Sequence, residues 1–139
     1  LHSGEIAGLK FAIVSLGTHP VAYVECKLKG LDGYDDERLA GVDVPFGFTF
    51  LGRNYWDSVD GDSTLYLGWD YAHFADYCGC MSDWELTSLR LKKWTTAEIF
   101  SEVQGVIKQL VIIENKERSI LWRIRFHLKR LLKAISRTR

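Results

Sequence analysis

This chain has little proline, methionine or cysteine and no long apolar run. It contains two prolines, one methionine and three cysteines among 139 residues. Proline removes a backbone donor, so Pro20 and Pro45 mark turns or sheet edges, and the rest of the chain is free to pair regularly. Cys26, Cys78 and Cys80 form an odd set, too few for the disulfide framework of a small secreted protein, so a reducing cytoplasm is the expected setting. The longest uncharged apolar runs, Phe11-Ala12-Ile13-Val14 and Leu110-Val111-Ile112-Ile113, fall far short of the ~20 residues a membrane-spanning helix needs. No basic stretch followed by an apolar run opens the chain, so no secretory signal is expected. Leu1-His2-Ser3-Gly4 lacks a start methionine and reads as a remnant added to the natural sequence. Gly41 and Gly47 have no companion lysine at phosphate-loop spacing, and no serine or cysteine nucleophile motif is visible.

What is present is ordinary in bulk and uneven in distribution. Hydrophobic residues make up 47% of the chain, enough at this length for one domain with its own core. The net charge of zero conceals a division: residues 1–115 hold 9 basic and 17 acidic residues, and residues 116–139 hold 9 basic and one acidic. The body is therefore −8 and the tail +8. A body this acidic repels nucleic acid, whereas the tail attracts polyanions, its own body or the body of a second copy.

Periodicity supplies the elements. Leu9–Leu16 reads as a strand. Val21–Leu28 reads as a second, with Val21, Tyr23 and Glu25 on one face and Ala22, Val24 and Cys26 on the other. Gly30–Gly41 is a polar loop. Val42–Phe50 reads as a strand interrupted by Pro45, and Gly52–Ser63 as an acidic loop. Thr64–Trp69 is a compact strand, residues 70–85 are irregular or briefly helical, and Leu86–Leu91 is a last short strand. Thr95-Thr96-Ala97-Glu98 is a capping box, in which a hydroxyl and a glutamate satisfy orphan N–H groups reciprocally. It predicts a helix from Thr95 to about Ile113, with Ile99, Val103, Val106, Ile107 and Leu110 on its buried face. Gly105 weakens its centre unless it permits close packing. Glu114–Glu117 reads as a polar break. Ser119–Ile135 is then a second, basic amphipathic helix, whose stripe of Leu121, Ile124, Leu128, Leu131 and Ile135 is expected to pack on the body or on a second subunit. Strands first and helices last imply an α+β fold: an antiparallel sheet of about four or five strands, packed by a helix and followed by the basic helix. The expected organisation is an acidic domain over 1–115 and a basic tail over 116–139 that belongs to the same domain.

The densest chemistry lies in Gly68-Trp69-Asp70-Tyr71-Ala72-His73-Phe74-Ala75-Asp76-Tyr77 and in Gly33-Tyr34-Asp35-Asp36. Imidazole plus carboxylates suits Zn, Mn or Fe, so Asp70, His73 and Asp76 are candidate metal ligands, with Asp35, Asp36 or Asp43 to complete the sphere. Asp70 and His73 are also the candidate catalytic pair of a metal-assisted hydrolase. The plainer alternative is that Asp70 caps a turn and His73 hydrogen-bonds within it. Either way, His73 is expected close to Asp70 or Asp76. Cys78-Gly79-Cys80 lacks the two-residue spacing of zinc and redox sites and reads as packing. The rings Tyr55, Trp56, Tyr66, Trp69, Tyr71, Phe74, Tyr77 and Trp84 form core or pocket walls. Together with the carboxylates they can also contact a base, a sugar or basic side chains.

Two motifs resemble a family of small proteins of phages, prophages and other mobile elements. The first, roughly Gly-x-Asp-Tyr-Asp-Asp followed by Val-His-Gly-Gly-Leu-Thr-aromatic, looks like Gly33-Tyr34-Asp35-Asp36 with Val42-Asp43-Val44-Pro45-Phe46-Gly47-Phe48-Thr49-Phe50. The second, Gly-aromatic-Asp-x-x-His-x-x-Asp, looks like Gly68-Trp69-Asp70 with His73 and Asp76. Lys93-Trp94-Thr95-Thr96-Ala97-Glu98 and its helix are similar too. The resemblance spans about residues 19 to 113 and omits the basic tail. It departs at Pro45-Phe46, where the family has His-Gly. It implies a genomic setting and supplies no activity.

The expected function is that of a mobile-element accessory protein acting by binding, as an inhibitor of a host protein through an acidic aromatic surface. Its expected contact residues are Asp35, Asp36, Trp69, Asp70, Tyr71, His73 and Asp76. The alternatives are the hydrolase above, with a divalent metal, and a nucleotide-like ligand binder; otherwise no cofactor is expected. The expected partner is a protein, with a homo-oligomer through the C-terminal helix as a further possibility. Nucleic acid or an anionic membrane at the tail is less favoured.

Overall fold

A computed structural model describes residues 2–53, 64–73, 76–77, 79 and 91–136, with the side chains of residues 126 and 129–136 outside the description. Among these residues five strands, β1 (His2–Ile6), β2 (Leu9–Ser15), β3 (Pro20–Cys26), β4 (Phe50–Arg53) and β5 (Leu65–Asp70), form one sheet in the order β1-β2-β3-β5-β4, with every pair antiparallel. One long helix, α1 (Thr96–Ser136), crosses a single face of it. The fold is α+β.

The alternation read from the sequence sets the sheet's faces. Ala22, Val24 and Cys26 of β3 join Leu9, Phe11 and Ile13 of β2 and Leu67 and Trp69 of β5 beneath Ile99, Val103, Val106, Ile107 and Leu110 of α1. On the opposite face, Tyr23 pairs across the ladder with Gly68 and meets the Phe50 ring edge-on, with centroids 5.5 Å apart. A Cβ at Gly68 would stand 2.7 Å from the Tyr23 ring, so the glycine makes room for that ring.

Three expectations change. The sheet does not begin at Leu9, because His2–Ile6 forms a strand ahead of it and pairs with Leu9–Ile13. Ala7 and Gly8 both take positive φ, the geometry of a two-residue hairpin turn matched to strand twist. Second, Val42–Thr49 is not a strand. Gly47 donates to the Val44 carbonyl (3.0 Å) in a turn around Pro45-Phe46, and Phe46 and Gly47 have φ of 59° and 85°. Proline offers no ladder donor and left-handed residues cannot extend, so pairing resumes only at Phe50, and Gly52 and Arg53 belong to β4 rather than to a loop. Residues 70–73 finish β5 and bend, the irregular form of the two expected there.

The third change concerns Glu114–Glu117, which does not break the helix; α1 runs unbroken through it and across the expected 115/116 boundary. Glu and Lys are good helix formers, and the two carboxylates have partners on the body. Glu114 is buried and accepts from the Lys27 amide (3.1 Å), while Glu117 accepts from the Arg38 guanidinium (2.9 Å). The N-terminus is as read: Thr95 Oγ accepts from the Glu98 amide, and the Glu98 carboxylate accepts from the Thr95 amide (2.9 Å). Nothing lies within 4 Å of a Cβ at Gly105, so no close packing requires that glycine.

Beyond Glu117 the helix projects as an arm, residues 118–136, about 28 Å long at 1.5 Å per residue. Leu121, Ile124 and Leu128, expected to pack on the body or on a second subunit, are 53%, 51% and 53% exposed in the single chain, so the body does not cover them. The sheet ends before the arm does. The side chains of Leu131 and Ile135 fall outside the described residues, as do the expected 54–63 loop and residues 86–90 of the expected last strand.

Candidate functional site

The end of β5 and the bend after it collect most of the candidate residues, and local bonds account for most of their polar atoms. Asp70 closes the strand. Its Oδ1 accepts from the Ala72 amide (3.2 Å), an Asx turn, and its Oδ2 accepts from Thr49 Oγ1 (3.1 Å). Asp76 is buried. Its Oδ1 accepts from Trp94 Nε1 (2.6 Å) and its Oδ2 from the His73 amide (3.2 Å). The Asp76 main chain bridges to Lys92, so this carboxylate fastens the bend to the segment that leads into α1.

His73 does lie beside Asp76, with Nδ1 at 3.4 Å from Oδ2. That spacing suits an ion pair when the ring is protonated, and the atom is buried without a hydrogen bond of normal geometry. The imidazole stacks on the Phe46 ring, with centroids 3.9 Å apart and planes at 17°. Phe46 is 73% exposed. It stands second in the Pro45-Phe46 turn, where φ > 0 calls for glycine or asparagine. A bulky side chain there carries a strain of about 1–2 kcal/mol. The backbone thus holds an aromatic ring out to solvent at a cost to the fold, with His73 as its support.

Trp69 and Tyr71 face inward rather than toward a ligand, at 0% and 1% exposure. Trp69 Nε1 donates to the Tyr71 hydroxyl (2.8 Å), and that hydroxyl donates to Glu102 of α1. Burial and the neighbouring Glu102 push the Tyr71 hydroxyl far above the ordinary tyrosine range; burial also raises Glu102. This relay pins sheet to helix.

The second candidate pair divides. Asp36 is buried, caps the 3₁₀ turn Glu37–Leu39 through the Arg38 amide, and is gripped by the Arg38 guanidinium at 2.7 and 2.8 Å. Those bonds hold its carboxyl well below the usual carboxylate range. Arg38 also donates to the Lys29 and Gly30 carbonyls, so one side chain ties the whole acidic loop to Glu117. Asp35 and Tyr34 are exposed at the mouth of a cleft of about 220 Å³. Asp36, Leu39, Ala40, Val42, Gly47 and Phe48 complete it, which places it beside the Phe46 turn. Asp43 is exposed near the same turn, its amide held by Gln109 (2.9 Å).

The structure therefore brings His73 to both Asp76 and Phe46, with Asp70 engaged with Thr49 and Asp36 with Arg38. Among the described residues no group of three or more His, Cys, Asp or Glu side chains gathers as a metal site. Cys78, Cys80, Tyr55, Trp56, Phe74 and Trp84 lie outside the described residues. Sequence reasoning missed Phe46, Trp94, Arg38 and Glu102. Only Phe46 left a readable signal, a proline followed by a large residue where the turn calls for glycine. Among the described residues no helix is long and apolar enough to cross a membrane. No family model matches this chain, and neither does any curated protein or solved structure.

Proposed function

We propose that this protein acts by binding, and that the face around Phe46 receives a basic protein surface. The observation that carries this reading is the exposed Phe46 ring, held at φ 59° and backed by His73. A residue kept in an unfavourable backbone region without burying its side chain points to a role outside the fold. Around it stand Tyr34, Asp35 and Asp43, all exposed. An aromatic anchor within an acidic rim suits a partner that offers an apolar hollow ringed by lysine or arginine. In the mobile-element setting that the motif resemblance implies, such a face suits inhibition of a host protein whose groove is built for nucleic acid. The hydrolase alternative draws less support, because Asp70 and Asp76 spend their oxygens on turn, tryptophan and threonine donors.

Site-specific photocrosslinking in cells tests this reading. A photoreactive phenylalanine analogue at position 46 should join a discrete basic protein, and Asp35→Lys with Asp43→Lys should abolish the adduct. No adduct, or an equal one with the analogue at exposed position 112 on the helix, overturns it.

A further inference from the structure

The arm repeats the buried stripe of its own helix. Leu121, Ile124 and Leu128 each follow Val103, Val106 and Leu110 by 18 residues, which at 3.6 residues per turn is five whole turns. The three leading residues are 0% exposed against the sheet, whereas the three that follow are about half exposed. The arm thus presents a core-type face on the side where the sheet lies, past the sheet's end. Arm and body form a step. A flat bilayer cannot reach the floor of that step, because the body stands beside it at a layer spacing of about 10 Å. An occupant of similar thickness can.

We propose that the occupant is a second copy of this chain: two arms pair antiparallel, stripe to stripe, about a twofold axis. The spacing Leu121, Ile124, Leu128, Leu131, Ile135 alternates three and four, the repeat that lets two helices interdigitate. Charge selects the antiparallel sense. Residues 118–136 carry Arg118, Arg123, Arg125, Lys129, Arg130 and Lys133 and no acidic residue, so two arms repel each other in either sense, and only the antiparallel sense offsets this by carrying each tip to the partner's acidic body. In the antiparallel pair each basic tip reaches the root of the partner's arm. There the Arg38–Glu117 bond holds the acidic loop against the helix, with Asp32 and Glu37 exposed.

The opposite flank of the root fixes the side on which the arm passes. A groove of about 780 Å³ there, whose floor includes Leu121, is lined by the cations Lys27, Lys29, Arg118 and Arg125 against the carboxylates of Glu114 and Glu117, and its excess of cations disfavours a basic tip. Counting from Leu110 at 100° per residue, Arg118 and Arg125 lie toward that groove. Gln109, which holds Asp43, lies the other way, so the partner's arm runs along the acidic flank. This inference does not depend on the Phe46 face.

Sedimentation velocity on the full chain tests it. The wild type should sediment as a dimer at micromolar concentration. Leu121→Glu with Ile124→Glu should give a monomer with an unchanged circular-dichroism spectrum, because both residues are exposed in the single chain. Asp32→Lys with Glu37→Lys, which spares Asp36, should weaken the dimer at least about tenfold and reduce its salt sensitivity. A wild type that is monomeric at about 100 μM, or a dimer indifferent to Leu121→Glu with Ile124→Glu, overturns the proposal. So does a monomer that binds phosphatidylserine vesicles or duplex DNA through the arm. A dimer indifferent to Asp32→Lys with Glu37→Lys overturns the antiparallel arrangement.

Discussion

Phe46 should be a residue at which glycine is better tolerated than alanine. Its φ of 59° brings Cβ close to the following carbonyl oxygen, a cost of about 1–2 kcal/mol that any L side chain carries and glycine does not. The ring recovers part of that cost by stacking on His73 at 3.9 Å, a contact worth roughly 0.5–1.5 kcal/mol. With 73% of the residue exposed, burial adds little. Phe46→Ala keeps the backbone strain and loses the stack, so it should lose about 0.5–1.5 kcal/mol. Phe46→Gly loses the stack and sheds the strain, and gains unfolded-state entropy of about 0.5–1 kcal/mol, so it should fall within about 1 kcal/mol of the wild type. The glycine variant should therefore be the more stable of the two by up to about 1.5 kcal/mol. At an extended or helical position the order would be reversed. Urea denaturation followed by tryptophan fluorescence, with equal slopes across the three proteins, measures the difference. An alanine variant as stable as the glycine variant would refute the claim that Phe46 is held in strain, and the proposed binding role would lose its main support.

Other consequences are equally concrete. Tyr71→Phe should cost about 1–3 kcal/mol, because it leaves the fully buried Trp69 Nε1–H without its acceptor; a loss below about 0.5 kcal/mol in a urea titration would refute the relay. Burial lifts the Glu102 carboxyl above the ordinary glutamate range, so the folded protein keeps this proton after the unfolded chain has released it. That contribution is fully present below the ordinary glutamate value and is lost as pH rises through the raised one. Glu102→Gln should flatten the fall in stability across that window, and an unchanged pH slope would contradict the assignment. Burial pushes the Cys26 thiol up to about 11, so mass spectrometry should find Cys26 unalkylated by iodoacetamide in folded protein at mildly alkaline pH and modified after unfolding. Gly105→Ala should raise stability by about 1 kcal/mol, since a Cβ there meets nothing within 4 Å; a loss on thermal denaturation would mean that the glycine is needed for packing.

The sequence by itself determined what depends on neighbours along the chain. Alternation over residues 21–26 set the two faces of β3, and Thr95 with Glu98 placed the start of α1, because strand faces and helix caps are decided within a few residues. The division between acidic body and basic tail is likewise a property of the order of charges alone. The tertiary structure decided everything that depends on a distant partner. Glu114 and Glu117 looked like an interruption, yet they continue the helix because Lys27 and Arg38, 87 and 79 residues away, supply their donors. Asp36 and Asp76 looked like ligands, yet Arg38 and Trp94 hold them; the first lies two residues on, but its guanidinium is aimed by carbonyls of a different loop segment. Phe46 drew no notice as a site residue, because only the folded turn reveals its left-handed backbone and only packing brings His73 beneath the ring. The stripe through Leu121, Ile124 and Leu128 was legible as apolar, but periodicity reports that a face needs cover and not what covers it. The sheet supplies that cover as far as Glu117 and then ends, because five strands about 4.8 Å apart are narrower than a helix of 41 residues is long.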